Sequence, residues 1–289
     1  MDLYVEKQGA ISIARNLSHD VDDSVFVVPD SISSQERRLT DQVLQHYQKT
    51  LKTHVRARRF MCHRGLDDQK LVDQFRIGYA DRTLGLSLQK LSKEDEASSR
   101  GALQRVGLLK PSGHEFFRGA LVVPFINGEG IVTGAYGRRI TKKLKTHSVY
   151  FVHWRTPETR FFNEAAIQKQ SEVFLCKNPL DALSLWSLGL TNTIALMGVF
   201  SFSMGHLTFL HKSGVKNVII AFGDSREESV CARRIAQLNN RIGINTYIML
   251  LPDGLDVNAC LSSMRNPKRL LMQALSNPFV MSNAHPDRH

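Results

Sequence analysis

The run Asn217-Val-Ile-Ile-Ala-Phe222 is the clearest of four short apolar strands that decide the fold. The other three are predicted at Glu172–Cys176, Asn192–Met197 and Asn245–Leu251, and helical patterns that stop at glycines alternate with them at Leu180–Trp186, Met204–Lys212 and Glu227–Arg241. Strands that are apolar along nearly their whole length are buried on both faces, which indicates a parallel sheet with helices on each side. Residues 172–261 are therefore predicted to form an α/β unit with right-handed crossovers.

Polar residues or glycines follow each of these four strands. In an open α/β sheet the reactive groups sit just beyond the carboxyl ends of the strands. Those ends are Lys177-Asn178, Gly198, Gly223-Asp224-Ser225 and Asp253-Gly-Leu-Asp256. Any chemistry of this unit is therefore expected at these four points.

The composition of the 289 residues argues against several classes of protein. There is no apolar run of about 18 residues, so no membrane span is predicted. The first residues lack the basic-then-apolar pattern of a signal peptide, so a cytosolic location is expected. The four cysteines have no CxxC spacing, which argues against zinc and favours buried thiols; they are Cys62, Cys176, Cys231 and Cys260.

Positive charge is concentrated in the middle of the chain. The formal net charge is +11, and the segment from Arg100 to Lys169 holds twelve Lys or Arg residues against four Glu. A basic region inside a folded domain favours a polyanionic partner, most simply nucleic acid. The alternative is a solvated basic face that binds nothing.

The part of the chain before the α/β unit changes from helical to strand periodicity. Helices are predicted from Gln35 to about Leu51, behind a cap at Ser33-Ser34, and at Val55–His63. A third helix is predicted to follow a cap at Asp67 or Asp68. Residues Lys90–Arg100 are predicted to start a helix and then form an exposed loop, and a short helix is predicted at Leu103–Leu109. Strands are predicted at Gly119–Phe125 and Ile131–Ile140, joined by an Asn127-Gly turn, and at Val149–Val152. A last helix is predicted at Lys268–Leu275.

These patterns divide the chain into four parts. They are an N-terminal extension of unassigned role at 1–35, a basic helical and antiparallel lobe at 36–170, the α/β domain at 171–265, and a C-terminal helix and tail at 266–289.

Short motifs along residues 40–262 carry a family resemblance. In chain order they are His63-Arg-Gly-Leu-Asp67, Phe75-Arg-Ile-Gly-Tyr-Ala80, Val106-Gly-Leu-Leu-Lys110, Phe117-Arg-Gly-Ala-Leu-Val-Val-Pro-Phe125, Ile131-Val-Thr-Gly-Ala-Tyr-Gly-Arg138, Thr156-Pro-Glu-Thr159 and Leu251-Pro-Asp-Gly-Leu-Asp256. In this order they resemble the RNA-polymerase core of the bacterial replicative primases of the DnaG type. The resemblance implies an α+β N-terminal lobe followed by an α/β Toprim domain, Rossmann-like with a mainly parallel four-stranded sheet. It also implies primer synthesis with metal ions on Toprim carboxylates, and a basic groove that tracks the template.

The chain departs from the family pattern where those carboxylates should lie. The family's first Toprim motif has a Glu at the strand end, and here that position is Lys177. Its two DxD motifs read Gly223-Asp224-Ser225 and Asp256-Val-Asn258. Glu227 and Glu228 open a helix and are not expected to replace the missing Glu. An ammonium in a partly dry site repels Mg²⁺ by several kcal/mol, so no catalytic residue is assigned.

Three carboxylates survive at motif positions or beside them, and two interpretations of them stay open. Asp181, Asp224 and Asp256 either form a residual Mg²⁺ site or serve as helix caps and turn residues, which Asp favours. Phosphoryl transfer requires hard oxygen ligands around Mg²⁺, and these are the candidate ligands.

Candidate nucleic-acid contacts follow the basic motifs of the resemblance. They are Arg64, Arg118, Arg138, Arg139, Lys142, Lys143, Lys145 and Lys177. Arg suits paired phosphate contacts and Lys looser ones. Four aromatic residues either stack on unpaired bases or belong to the core of the sheet; they are Tyr136, Tyr150, Phe151 and Trp154.

The favoured hypothesis is a primase-like protein that binds single-stranded or primer-template DNA as an accessory in replication or in the biology of a mobile element. Primer synthesis would be lost or much reduced. One alternative is a working primase with metal held by Asp181, Asp224 and Asp256. Another is a docking module for a protein such as a helicase or recombinase, and no membrane partner is expected.

Overall fold

The computed structural model describes residues 24–29, 32–89, 92–141, 149–251, 255–263 and 279–280. Two predicted features lie outside the described residues. These are the helix at Lys268–Leu275 and the basic cluster of Lys142, Lys143 and Lys145.

Helices form one layer of the N-terminal lobe. They are α1 (Ser34–Thr53), α2 (Val55–His63), α3 (Gln69–Gln74), α4 (Leu84–Leu88) and α5 (Lys93–Arg105). A capping box opens α1, because the Ser33 hydroxyl accepts from the Glu36 N–H and the Glu36 carboxylate accepts from the Ser33 N–H. The Asp68 carboxylate accepts from the Lys70 N–H and caps α3. The predicted starts of α1 and α2 and the predicted cap of α3 are confirmed.

The prediction for the segment that became α5 is wrong. The sequence predicted an exposed loop and then a second helix, whereas one helix runs through Lys93–Arg105. An ion pair between Glu96 and Arg100 lies where the break was expected. The buried side of α5 consists of small residues and one leucine, so its apolar period is weak in the sequence; the buried residues are Ser99, Ala102 and Leu103.

A five-stranded sheet forms the other layer of the lobe. Its order is β1-β5-β4-β3-β2, and its strands are β1 (Val25–Val27), β2 (Gly78–Tyr79), β3 (Ala120–Ile126), β4 (Val132–Arg139) and β5 (Phe151–Arg155). Neighbours from β2 to β5 pair antiparallel, and β1 joins β5 parallel. The predicted extension at 1–35 therefore supplies an edge strand. The predicted strand Val149–Val152 is shifted, because the alternation of buried Val152 and Trp154 with exposed neighbours continues to Arg155.

The two faces of this sheet pack against different parts of the molecule. Val122 and Trp154 face a core shared with α1 and α5, whereas Leu121, Val123 and Tyr136 face a core shared with the α/β domain. Tyr136 and Arg138 are two residues apart on β4, so they lie on the same face. Arg138 thus lies on the side of the sheet that adjoins the α/β domain.

The α/β domain contains the predicted sheet. Four parallel strands lie in the order β9-β8-β6-β7, and an antiparallel pair extends β9 with β10. The strands are β6 (Glu172–Cys176), β7 (Thr193–Ala195), β8 (Asn217–Ala221), β9 (Asn245–Ile248) and β10 (Phe279–Val280). The helices are α6 (Pro179–Ser187), α7 (Met204–Lys212), α8 (Arg226–Arg241) and α9 (Val257–Ser263). The predicted fold class, an α+β lobe followed by an α/β domain, is confirmed.

Two predictions drawn from composition concern a membrane span and the burial of the cysteines. No helix in the described part of the chain is long and apolar enough to cross a membrane. Burial of the thiols is confirmed for Cys176 and Cys260 but is wrong for Cys62, which is exposed, while Cys231 is half-buried. Cys62 lies on α2, whose buried positions are Ala57 and Met61.

Candidate functional site

Lys177 lies at the centre of the polar residues that gather at the strand ends. It follows β6, the middle strand between β7 and β8, and its ammonium nitrogen is 2.5 Å from Glu228 Oε1 and 3.2 Å from Asp256 Oδ2. The Lys177 side chain is only 18% exposed. The lysine found by sequence is therefore the hub of an ion-pair cluster. We call Lys177, Asp181, Glu228 and Asp256 together the acidic centre.

Glu228 is the member of the acidic centre that the sequence interpretation missed. It is the third residue of α8 and forms a capping box with Ser225, so its carboxylate is turned back towards the end of β8. Gly223 makes room for it, because a Cβ atom there would lie 2.4 Å from Glu228 Oε2. The prediction that Glu228 opens a helix is confirmed, but the sequence did not reveal that its carboxylate also pairs with Lys177. The Ser225-x-x-Glu228 pattern was the available signal.

Asp256 and Asp181 complete the acidic centre from two helices. Asp256 precedes α9 and accepts a hydrogen bond of 2.7 Å from the Ala259 N–H, as a helix cap does, while its other oxygen faces Lys177. Asp181 is fully buried near the start of α6. Its two oxygens accept from the side-chain amide of Asn178 at 2.7 Å and from the backbone N–H of Asn258 at 2.9 Å.

Burial and neighbouring charges alter the protonation of this cluster. Burial, followed by the negative charge of Asp256, raises the pKa of Asp181 from 3.8 to about 8. Burial alone would lower the pKa of Lys177, but Asp181, Glu228 and Asp256 outweigh burial and raise it. Lys177 therefore stays a charged ammonium at neutral pH, whereas burial favours the protonated form of Asp181.

The donor set of the acidic centre fits an ammonium ion better than a divalent cation. Among the residues that the structure describes, no group of three or more His, Cys, Asp or Glu side chains is arranged to hold a metal. The carboxylates already accept from N–H donors: Asp181 from Asn178 and Asn258, Asp256 from Ala259 and Lys177, and Glu228 from Ser225 and Lys177. Asp224, the third predicted ligand, is exposed in the turn before α8.

Asn258 connects the acidic centre to the N-terminal lobe. Its side-chain amide donates to the Arg64 carbonyl at 3.1 Å and to the Ser184 hydroxyl at 2.8 Å, and its carbonyl oxygen accepts from the Arg64 guanidinium at 2.8 Å. Arg64, a predicted nucleic-acid contact, is thus held by a contact between the lobes. Asn258 is buried and was recognised in the sequence only as a missing acid.

Among the other predicted nucleic-acid contacts that the structure describes, Arg138 and Arg139 end β4, and Arg118 precedes β3. Arg138 is half-buried, and its guanidinium carbon lies 4.4 Å from the ring centre of Tyr150 and 4.7 Å from that of Phe151. Arg139 is half-buried and Arg118 is exposed. We call Arg138, Tyr150 and Phe151 together the aromatic edge. Of the four aromatic candidates for stacking, Tyr136 and Trp154 are core residues that are 1% exposed.

Two family models match consecutive parts of the chain. The N-terminal domain of the DNA primase catalytic core matches residues 46–174. A Toprim-like model matches residues 174–261. The first covers strands β2 to β5 of the N-terminal lobe, and the second covers all four residues of the acidic centre.

Similar proteins agree with these matches. A DNA primase from Staphylococcus epidermidis is 27% identical over 243 residues, which are 78% of this chain and 39% of the relative. The zinc-binding and RNA polymerase domains of the Aquifex aeolicus primase superpose with a TM-score of 0.70 and 22% identity over 86% of this chain and 62% of theirs. A DnaG primase catalytic domain bound to ssDNA superposes with a TM-score of 0.67 and 20% identity over 85% of this chain and 81% of its own.

The two superpositions show that the fold is shared. The chain spans 39% and 41% of the length of the relatives from Staphylococcus epidermidis and Chlamydia pneumoniae.

Proposed function

Since this chain belongs to the family of DnaG-type DNA primase cores, with the N-terminal domain of that core followed by a Toprim domain, we propose that it is a DNA-binding protein of replication. We further propose that Lys177 has taken the place of the divalent cation and that primer synthesis is lost or much reduced. DNA would bind to the basic residues of the N-terminal lobe, and the acidic centre would stabilise the fold.

The ion pairs of Lys177 are the observation that carries this proposal. A nucleotidyl transfer needs cations that bind triphosphate oxygens directly, and Mg²⁺ does so in octahedral geometry. An ammonium held by Glu228 and Asp256 offsets part of their negative charge with its own positive charge. At an effective dielectric constant of 20, two unit charges 4 Å apart interact by about 4 kcal/mol. A Mg²⁺ ion placed beside Lys177 therefore meets a repulsion of at least this size.

The charge of the N-terminal lobe supports the nucleic-acid part of the proposal. The segment 100–169 is strongly basic, and Arg118, Arg138 and Arg139 are each at least partly accessible. The related catalytic domain solved with ssDNA has the same fold. Phosphate contacts by such residues release counterions, so the affinity should fall steeply as salt is added.

The decisive experiment measures primer synthesis and DNA binding on the same preparation. With NTPs, a single-stranded template and Mg²⁺ or Mn²⁺, we expect no primer above background, and we expect salt-sensitive DNA binding. Asp256→Ala should leave DNA binding in place, whereas Arg118→Ala combined with Arg138→Ala should abolish it. Primer synthesis that Asp256→Ala removes would contradict the proposal.

The second candidate function is a working primase. It is favoured by the relatives named DNA primase and by the retention of Asp181 and Asp256. In that case Lys177 would have to leave the acids when nucleotide and metal arrive. Calorimetric titration with Mn²⁺ separates the two candidates, because only a working primase should bind the ion, and Asp256→Ala should remove that binding.

A further inference from the structure

Five planar side chains lie in a row on the sheet face that adjoins the Toprim domain. In the pairing of β4 with β5, Arg138 lies opposite Phe151 and Tyr136 lies opposite His153. Tyr136 stacks on His153 with ring centres 5.7 Å apart and lies 6.0 Å from Phe151. The Arg138 guanidinium then lies against Phe151 and Tyr150. The row runs from a buried end to the aromatic edge.

The most exposed member of this row is Phe151. Tyr136 is 1% exposed, whereas the Phe151 side chain is 47% exposed, although it sits beside a residue of the core. Its neighbours on β5, Val152 and Trp154, are buried on the other face. Phe151 is therefore fixed by the strand and by its contacts with Arg138 and Tyr136, while about half of its surface faces solvent.

We propose that the aromatic edge is a stacking site for an unpaired base, so that this protein prefers single-stranded nucleic acid to duplex. This inference rests on the proposed DNA-binding function and names its ligand class. Phe151 provides the most exposed ring, Tyr150 and Phe151 hold the guanidinium of Arg138, and Arg138 provides positive charge for an adjacent phosphate.

Three properties of nucleic acids match the aromatic edge and favour an unpaired base with its phosphates as the ligand. A base has an apolar face of the size of a Phe ring, and stacking on an aromatic side chain does not depend on which base it is. A phosphodiester backbone complements the charge of Arg138. In a duplex the bases are already stacked and paired, so only an unpaired base can reach Phe151 without being flipped out.

The experiment compares three probes of equal length: oligo-dT, a matched duplex, and a backbone of abasic sites that keeps the phosphates and lacks the bases. Fluorescence anisotropy at low salt measures the affinity of the full chain for each probe. Phe151→Ala should weaken oligo-dT binding roughly fivefold to thirtyfold, the lower part of the range measured for base–aromatic stacking. It should leave the affinity for the abasic backbone unchanged. Phe151→Trp should retain the affinity for oligo-dT.

A matched control uses Phe200, a phenylalanine of the Toprim domain that is 73% exposed. Phe200→Ala should bind all three probes as the wild type does. Arg138→Ala should weaken oligo-dT and the abasic backbone alike. Circular dichroism confirms that each variant is folded.

The outcomes separate this inference from the function on which it rests. If the wild type binds oligo-dT and Phe151→Ala binds it equally well, the stacking site is overturned and DNA binding stands. Equal binding of the wild type to oligo-dT and to the abasic backbone overturns it in the same way. If no probe binds at low salt, the proposed DNA-binding function fails, and the stacking site fails with it.

In the Phe151→Trp variant the new indole also reports directly on stacking. The native Trp154 is buried and Trp186 is half-buried against the core, so the added indole provides the most exposed emission. Oligo-dT should quench this emission, and the abasic backbone should not. Equal quenching by both probes contradicts the proposal.

Discussion

The acidic centre and the aromatic edge use charge in opposite ways. In the acidic centre Lys177 is held by Glu228 and Asp256, and it is mostly buried. At the aromatic edge Arg138 lies between Tyr150 and Phe151, and the outer ring stays exposed. The comparison shows how one fold can hold two kinds of charged site. In the acidic centre the charges of Lys177, Glu228 and Asp256 pair with one another, whereas at the aromatic edge the charge of Arg138 lies beside an exposed ring.

The prediction with the largest expected effect concerns removal of the Lys177 ammonium. Lys177→Met leaves Glu228 and Asp256 close together without their cation, so we expect the free energy of unfolding to fall by about 3 kcal/mol. Mn²⁺ should restore part of this loss in the variant and should not stabilise the wild type, because only the variant has acids that lack a cation. Thermal denaturation with and without Mn²⁺ measures both effects.

The matched control for this variant is Lys216→Met. Lys216 is exposed and lies before β8, on the side away from the acidic centre. We expect it to change stability by less than about 0.5 kcal/mol and to show no response to Mn²⁺. An equal loss in the two variants would show that the ion pairs of Lys177 contribute nothing.

The next test breaks the link between the acidic centre and the N-terminal lobe. Asn258→Ala removes the side-chain bonds to Arg64 and Ser184, which are largely shielded from water, so we expect a loss of about 2 kcal/mol. The loss should include faster hydrogen exchange at Arg64 and its neighbours. Ser262→Ala, which removes a bond within α9, should leave that exchange unchanged. Unaltered exchange in Asn258→Ala would contradict the link.

A third test uses the protonation of Asp181. The unfolded chain releases this proton near pH 4, whereas the folded protein keeps it to about pH 8. Between these values the unfolded state binds fewer protons, so the contribution of Asp181 makes the protein less stable as the pH rises. Asp181→Asn, which cannot ionise, should lack this decline. Denaturant unfolding of both proteins across this window measures the difference, and parallel pH profiles would refute it.

The smallest test concerns the planarity of Arg138. Arg138→Lys keeps the charge but loses a guanidinium that lies flat on Tyr150 and Phe151. We expect oligo-dT binding to weaken roughly twofold to tenfold, with an unchanged dependence on salt. Arg138→Ala should reduce the salt slope by about one phosphate contact. An affinity of Arg138→Lys equal to that of the wild type would show that charge alone matters at the aromatic edge.

Local rules predicted those parts of the fold whose signals are local. The helix Met204–Lys212 was predicted with both of its bounds, and α1 to within two residues, because caps and apolar periods fix such helices. The helix α4 was missed because its start depends on a distant residue. The N–H of Leu84 donates to the buried carboxylate of Glu115, which is 31 positions away.

The sequence predicted several residues of the candidate site but not how their side chains are arranged. The sequence identified Lys177 as a cation where the family has a Glu, since that substitution is visible in one motif. It did not reveal that Glu228, 51 positions away, pairs with Lys177, because such a contact depends on how β6 and β8 pair. The role of Asn258 was equally hidden, since its partner Arg64 lies 194 positions away on the other lobe.

Gly223 limits which side chains can be placed beside the acidic centre. A Cβ atom at this position would lie 2.4 Å from Glu228 Oε2, so any side chain here would require the Glu228 carboxylate to move. Gly223→Asp would therefore shift the Glu228 carboxylate from its position beside the ammonium of Lys177, and Lys177→Glu alone would bring like charges together. Either change alters the partners of the charged groups that remain, so the effects of substitutions at 177 and 223 on stability should not be additive.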